Sequence, residues 1–208
     1  MGYHRAGFEV IGVDNRPQKN YPFEFVEDDV FHFLEDASFP DNCPGHVGGY
    51  CLNDFDAIHA SPPCQRYSTL IGNQTRDYPD LYGPIRSRLE FLDVPWVIEN
   101  VIGAPYSSGI VLCGSMFNLP VRRHRNFESN FLMLNGYYCQ HKKQGRPITV
   151  TGKGGGVARR HSDKGVKARW PEYMGMPWAT PEECTQAIPP AYTEYIGKAL
   201  RETRFKAV

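Results

Sequence analysis

Two residues of this 208-residue chain combine a reactive group with a backbone built to hold it still. Cys64 follows Ser61-Pro62-Pro63 at the end of the apolar run Phe55–Ala60. Two pyrrolidine rings there fix φ and remove two backbone donors, so the thiol stands at the start of a stiff loop. Most free cysteines are small buried hydrophobes. Here the polar residues Gln65, Tyr67 and Ser68 follow at once, and they turn the thiol toward something other than core. Glu99 ends a second apolar run, Pro95-Trp96-Val97-Ile98, and is followed by Asn100. A thiol attacks as thiolate, and with an ordinary pKa of about 8.5 it needs an activating environment. A placed thiol beside a carboxyl is the equipment of covalent nucleophilic catalysis.

The elements that must position these groups read as α/β. Strands are expected over Glu9–Asp14, Phe55–Ala60, Pro95–Glu99 and Gly109–Cys113, with a short one after the turn at Tyr21. Met1–Phe8 reads as a helix tail closed by Gly7, and Glu27-Asp28-Asp29 leads into a helix with Val30, Phe33 and Leu34 on one face. Pro79–Leu92 has helical spacing, with Leu81, Ile85, Leu89 and Leu92 inward and Arg86 and Arg88 outward. A last helix covers Ala191–Arg201. In a parallel α/β sheet the carboxyl ends of the strands line one crevice, which brings Cys64 and Glu99 together. An acid ending the second strand of a nucleotide-binding unit reaches ribose hydroxyls, and Asp14 stands there.

Charge is zero overall but unevenly spread. Residues 1–119 carry 7 Lys+Arg against 16 Asp+Glu, residues 120–170 carry 12 against 2, and residues 171–208 carry 4 against 5. The middle block, interleaved with Tyr137, Tyr138 and Trp170, is suited to following a phosphate backbone. Gly152–Gly156 lacks the Gly-Lys-Ser/Thr ending of a phosphate-binding loop. The six cysteines form no disulfide framework, which suits a reducing compartment. Cys43, Cys51, Cys139 and His141 do not have the spacing of a zinc knuckle, and no metal is expected. No apolar run reaches membrane-spanning length and no signal pattern opens the chain.

The stretches Pro62-Pro63-Cys64-Gln65 and Pro95-Trp96-Val97-Ile98-Glu99-Asn100-Val101, in this order, resemble the catalytic motifs of the DNA (cytosine-5) methyltransferases of compact phage or bacterial type. Val121–Glu128 resembles the family's Q-x-R-x-R segment, with Arg123 and Arg125 matching its arginines on one strand face and Val121 standing for Gln. Gln186–Pro190 resembles the closing G-N-A-V-P-P, with Gln186 for Asn. The resemblance implies a class I, Rossmann-like doubly wound sheet. It also implies methyl transfer from S-adenosylmethionine to carbon 5 of cytosine in double-stranded DNA, by a covalent cysteine adduct on a flipped base. Cys64 is then the nucleophile, Glu99 holds N3 and the exocyclic amine, Arg125 holds O2 and Arg123 braces the loop. Asp14, Asp29 and Pro63 take the cofactor. Gln65, Ser68, Arg122, Lys142, Lys143, Arg159 and Arg160 take DNA. The loop at Thr69–Asp77 closes over the DNA, and the setting is the cytoplasm of a bacterium or phage-infected cell, in restriction–modification or phage protection.

One part of the family pattern is missing. The strand and Gly-rich turn that precede the first helix and cradle the methionine moiety have no counterpart in these residues. Weak cofactor binding is therefore expected, with an upstream segment or a second chain supplying the strand. The expected organisation is a catalytic α/β domain over residues 1–128, a short basic target-recognition region over 129–180, and a returning C-terminal helix over 181–208. The alternative is a DNA-binding relative that does not methylate, or one part of a split enzyme.

Overall fold

The computed structural model describes residues 1–36, 52, 55–68, 78–106, 108–151 and 164–205. Arg159, Arg160, Cys43, Cys51, residues 152–156 and residues 69–77, expected to close over DNA, lie outside the described residues.

Mixed α/β architecture is what the apolar runs produce. Strands β1 (Ile11–Asp14) and β2 (Glu24–Glu27) pair in parallel as one small sheet. Strands β3 (Ile58–Ala60), β4 (Trp96–Asn100), β5 (Ile110–Leu112) and β6 (Arg125–Ser129) form a mixed sheet in the order β3-β4-β6-β5. β3 runs parallel to β4, while β6 is antiparallel to both β4 and β5. β4 is buried throughout because both of its faces are covered, the pattern of a central strand.

Alternation along β4 feeds two cores. Trp96 and Ile98 join Leu34 of α2 (Val30–Asp36) and Tyr82, Ile85 and Leu89 of α3 (Tyr82–Glu90) on one face. Val97 joins Ile110, Leu112, Phe127 and, from the last helix, Tyr192 and Ile196 on the other. That last helix and a short first one, α1 (Gly2–Arg5), pack together. A Cβ on Gly2 would sit 2.1 Å from the Pro190 carbonyl oxygen, so only glycine lets α1 seat there. Gly7, at φ 94°, ends the turn as expected.

Between β6 and the last helix, α4 (His141–Gln144), α5 (Lys164–Ala168), α6 (Trp170–Met174) and α7 (Pro181–Cys184) precede α8 (Pro190–Phe205). Val121, Val150, Trp170, Met174 and Cys184 make a third small core. Trp170 is therefore a buried packing residue and not part of a phosphate-following surface, whereas Tyr137 and Tyr138 are exposed. Arg86 is also not simply outward. Its Nε lies 2.9 Å from Glu128, whose side chain is 2% exposed, because α3 crosses the face of β6 that carries this acid.

β1 and β3 each end their sheet, and residues of both line one cleft. Among the described residues no strand joins the two sheets.

Candidate active site

Register decides which polar groups meet. Ala60 pairs with Ile98, so the residues after β3 run beside the end of β4. Asn100, fully buried, donates from Nδ2 to the Pro62 carbonyl at 3.0 Å and accepts from the Val101 N–H at 2.8 Å. The stiff Pro62-Pro63 segment is thereby tied to β4, and Cys64 is half-buried directly after it. The Tyr67 N–H donates to the Cys64 carbonyl in a tight 3₁₀ turn, Gln65–Tyr67. Gln65 Oε1 is buried without a hydrogen bond among the described residues.

Glu99 and Arg125 pair on the shared face of β4 and β6, Nε to Oε1 at 2.9 Å, with side chains 10% and 15% exposed. Burial pushes the Glu99 carboxyl above the usual carboxylate range, against the pull of Arg125 and a hydrogen bond from Ser61. Glu99 is thus easier to protonate than an exposed carboxylate.

Arg123 departs from the sequence expectation. The strand starts at Arg125, and Arg123 lies at φ 37°, so the two arginines do not alternate along one strand. A left-handed non-glycine residue costs about 1–3 kcal/mol and persists only where surrounding bonds fix it. Here Gly114 N–H donates to the Arg122 carbonyl at 2.7 Å, and the Tyr192 hydroxyl reaches the carbonyls of Arg122 and Arg123 at 3.1 and 2.9 Å. Arg123 itself donates to the carbonyls of Val150 (3.0 Å) and Thr185 (2.7 Å), bracing the C-terminal part of the chain. Burial, with Arg125 nearby, pushes its guanidinium down to about 10, against the pull of Glu99, and Cys64 lies within its electrostatic reach. Cys64, Glu99, Arg123 and Arg125 therefore occupy one neighbourhood.

Beside it opens a cleft of about 340 Å³ lined by Asp14, Asp28, Asp29 and Pro63 over an apolar floor that includes Ile11, Phe31 and Ile58. All three residues expected to take a cofactor, Asp14, Asp29 and Pro63, line it. Asp14 accepts from the Arg16 N–H and from Gln18, and Asp29 accepts from the Phe31 N–H at 2.9 Å, the N-cap role its position before α2 allows. Carboxylates above an apolar slot can accept hydrogen bonds from hydroxyl or amine groups of a small ligand.

The residues expected to take DNA are less concentrated. Lys142 and Lys143 are exposed on α4, and Arg122 bonds Gln144 of the same helix at 3.2 Å. Gln65 and Ser68 stay by the Cys64 loop. Among the described residues no helix is long and apolar enough to cross a membrane.

Three contributors were given no role in the sequence: Asn100, Ser61 and Tyr192. Only the position of Asn100 and Ser61 at strand ends hinted at a role. The zinc candidates also regroup: Cys139 and His141 lie with Cys113 and His124, and the four ligand atoms fall within 4.8 Å of one another. Compared with models of known protein families the chain matches none, and no curated protein matches it.

Proposed function

We propose that this chain carries the cysteine chemistry of a DNA (cytosine-5) methyltransferase on a Rossmann-like scaffold. The observation that supports it is the convergence of a proline-held thiol, a buried carboxyl biased toward protonation and two guanidiniums beside a nucleoside-sized cleft. S-adenosylmethionine, bound there with Asp14, Asp29 and Pro63 around its adenosine part, would supply an electrophilic methyl group.

The chain's own residues do the rest. The Cys64 thiolate adds to carbon 6 of cytosine, forming the C–S bond, and the C5–C6 electron pair moves into the ring. Glu99 gives a proton to N3 and accepts from the exocyclic amine, so the ring takes those electrons without building up charge. Carbon 5 would then take the methyl group, the methyl–sulfur bond of the sulfonium breaking with its electron pair left on a neutral thioether. Loss of the carbon 5 proton to solvent or a base returns electrons to the ring and expels the Cys64 thiolate. Arg125 orients Glu99 through the 2.9 Å pair and would hold O2. The base must leave the duplex for any of this. Lys142 and Lys143, with Tyr137 and Tyr138 exposed nearby in sequence, supply a cationic, aromatic surface for the DNA backbone.

A second reading is favoured by one observation, the separate sheets ending in β1 and β3 on either side of the cleft. In that reading the site is complete only when another segment or chain adds a strand between them and closes the cleft over the methionine moiety.

DNA containing 5-fluorocytosine tests the chemistry, since fluorine blocks the final elimination. With S-adenosylmethionine present, a covalent protein–DNA adduct at Cys64, absent from Cys64→Ser, is expected. An adduct mapping to another cysteine would refute the assignment of the nucleophile. If a strand-supplying segment is needed, the adduct forms only after it is added.

A further inference from the structure

We propose that Cys113, His124, Cys139 and His141 form a tetrahedral zinc site. Their ligand atoms all lie within 4.8 Å of one another, and they come in two cross-linked pairs: Cys113 Sγ is 3.3 Å from His141 Nε2, and Cys139 Sγ is 3.4 Å from His124 Nε2. Zn–S bonds of 2.3 Å and Zn–N bonds of 2.0–2.1 Å set the edges of a tetrahedron at about 3.3–3.8 Å. The two sulfur–nitrogen pairs already match those edges, and the wider separations, up to 4.8 Å, would close by about 1 Å around one metal. Two thiolates and two neutral imidazoles balance the charge of Zn²⁺, which a site running from fully buried Cys113 to exposed Cys139 requires.

The surroundings are built to hold the four groups there. Cys113 directly follows β5 and opens the 3₁₀ turn Gly114–Phe117, and a Cβ on Gly114 would lie 2.0 Å from the Val121 carbonyl oxygen, so glycine alone lets this turn approach the segment that carries His124. Gln144 of α4 donates to the carbonyls of Leu119 (2.7 Å) and Val121 (3.0 Å), fixing the helix that carries His141. Ser115 Oγ accepts from the Gln140 N–H at 3.1 Å and lies 3.2 Å from Cys113 Sγ, a supporting contact outside the ligand set. The rings of His124 and His141 meet edge to face at 5.1 Å, with a nitrogen of each turned to a sulfur.

Such a site adds a metal tie to three stretches already joined by hydrogen bonds: the end of β5, the segment between Val121 and Arg125, and the basic loop and helix with Lys142 and Lys143. His124 lies between Arg123 and Arg125, so zinc would fix the backbone that aims both guanidiniums. The site stands independently of the methyltransferase reading, because it rests on ligand geometry alone.

The test is metal content and coordination in the whole chain, purified from zinc-replete medium under reducing conditions without chelator. One zinc per chain is expected, with X-ray absorption giving two sulfur and two nitrogen neighbours, and the cobalt-substituted protein giving the visible bands of a tetrahedral two-thiolate site. Cys139→Ser and His141→Asn, at the more accessible positions, should each lose the stoichiometric zinc, while Cys64→Ser keeps it. A chain folded without zinc, a Cys113–Cys139 disulfide found instead, or a different ligand count by X-ray absorption overturns the proposal. The absorption measurement on the unmodified chain decides the matter even if the variants do not fold.

Discussion

Removing Arg86 should cost more than removing Arg86 and Glu128 together. Glu128 is buried on β6, and its carboxylate takes a hydrogen bond from the Tyr82 hydroxyl at 2.5 Å and pairs with Arg86 Nε at 2.9 Å. Arg86 is 31% exposed and also pairs with Glu90 at 2.7 Å. Arg86→Leu therefore leaves a buried carboxylate short of its cation, a loss of about 3–5 kcal/mol in fully buried pairs. Water can reach the exposed third of the vacated site, which puts the expected cost near the lower end, about 3 kcal/mol. Glu128→Leu is milder. Arg86 keeps Glu90 and solvent, and the main penalty is a buried Tyr82 hydroxyl without its acceptor, about 1–3 kcal/mol. The double variant carries only that second penalty, so the cycle should be non-additive by about 3 kcal/mol. Urea unfolding at constant m-value measures all three. A double variant costing the sum of the single ones would refute the argument, because the charge left behind by Arg86→Leu would then not be what destabilises the fold.

Further outcomes concern the site itself. Because burial holds Glu99 above the ordinary carboxylate range, the folded chain keeps a proton that the unfolded chain releases; stability falls as pH rises through the folded value, and Glu99→Gln should remove that fall. The same variant should lose about 10²–10⁴-fold in methyl transfer, measured with radiolabelled S-adenosylmethionine, and retained activity would exclude Glu99 as the proton donor. His59 slopes the other way: burial pushes it from 6.5 down to about 4, so stability is full above about pH 6.5 and falls toward pH 4, by at most about 3 kcal/mol. His59→Gln should flatten that acid limb in pH-dependent melting, though it also disturbs the bond from Tyr3 to His59 Nδ1 at 2.7 Å. Neutralising Lys142 and Lys143, together with Arg159 and Arg160, should weaken binding to every duplex and reduce the log–log salt slope by about 0.9 for each phosphate no longer neutralised; an unchanged slope would make the basic block a solvated face.

The sequence by itself determined what is local and periodic. The end of β4 at Glu99-Asn100, the faces of α2 and α3, the closing of α1 at Gly7 and the proline-held step into Cys64 were legible because apolar spacing, proline and glycine restrict the backbone whatever surrounds them. A placed thiol and a strand-end carboxyl were visible for the same reason, while the pair of arginines stood out only through the resemblance of Val121–Glu128 to a family segment. What only tertiary structure decided depends on partners remote in the chain. Arg123 reads like any residue of a strand, and its left-handed backbone exists because Gly114, Tyr192, Val150 and Thr185 converge on it. Arg86 has the spacing of a solvent-facing residue and turns to Glu128 only because α3 lies across β6. Trp170 sits in a basic run and is nonetheless buried, since α6 and α7 need an apolar contact with Val121 and Val150. Cys113, His124, Cys139 and His141 have no recognisable spacing because their ligand set is assembled by a strand end, a strained segment, a loop and a helix, and pairing distance in space leaves no period along a chain.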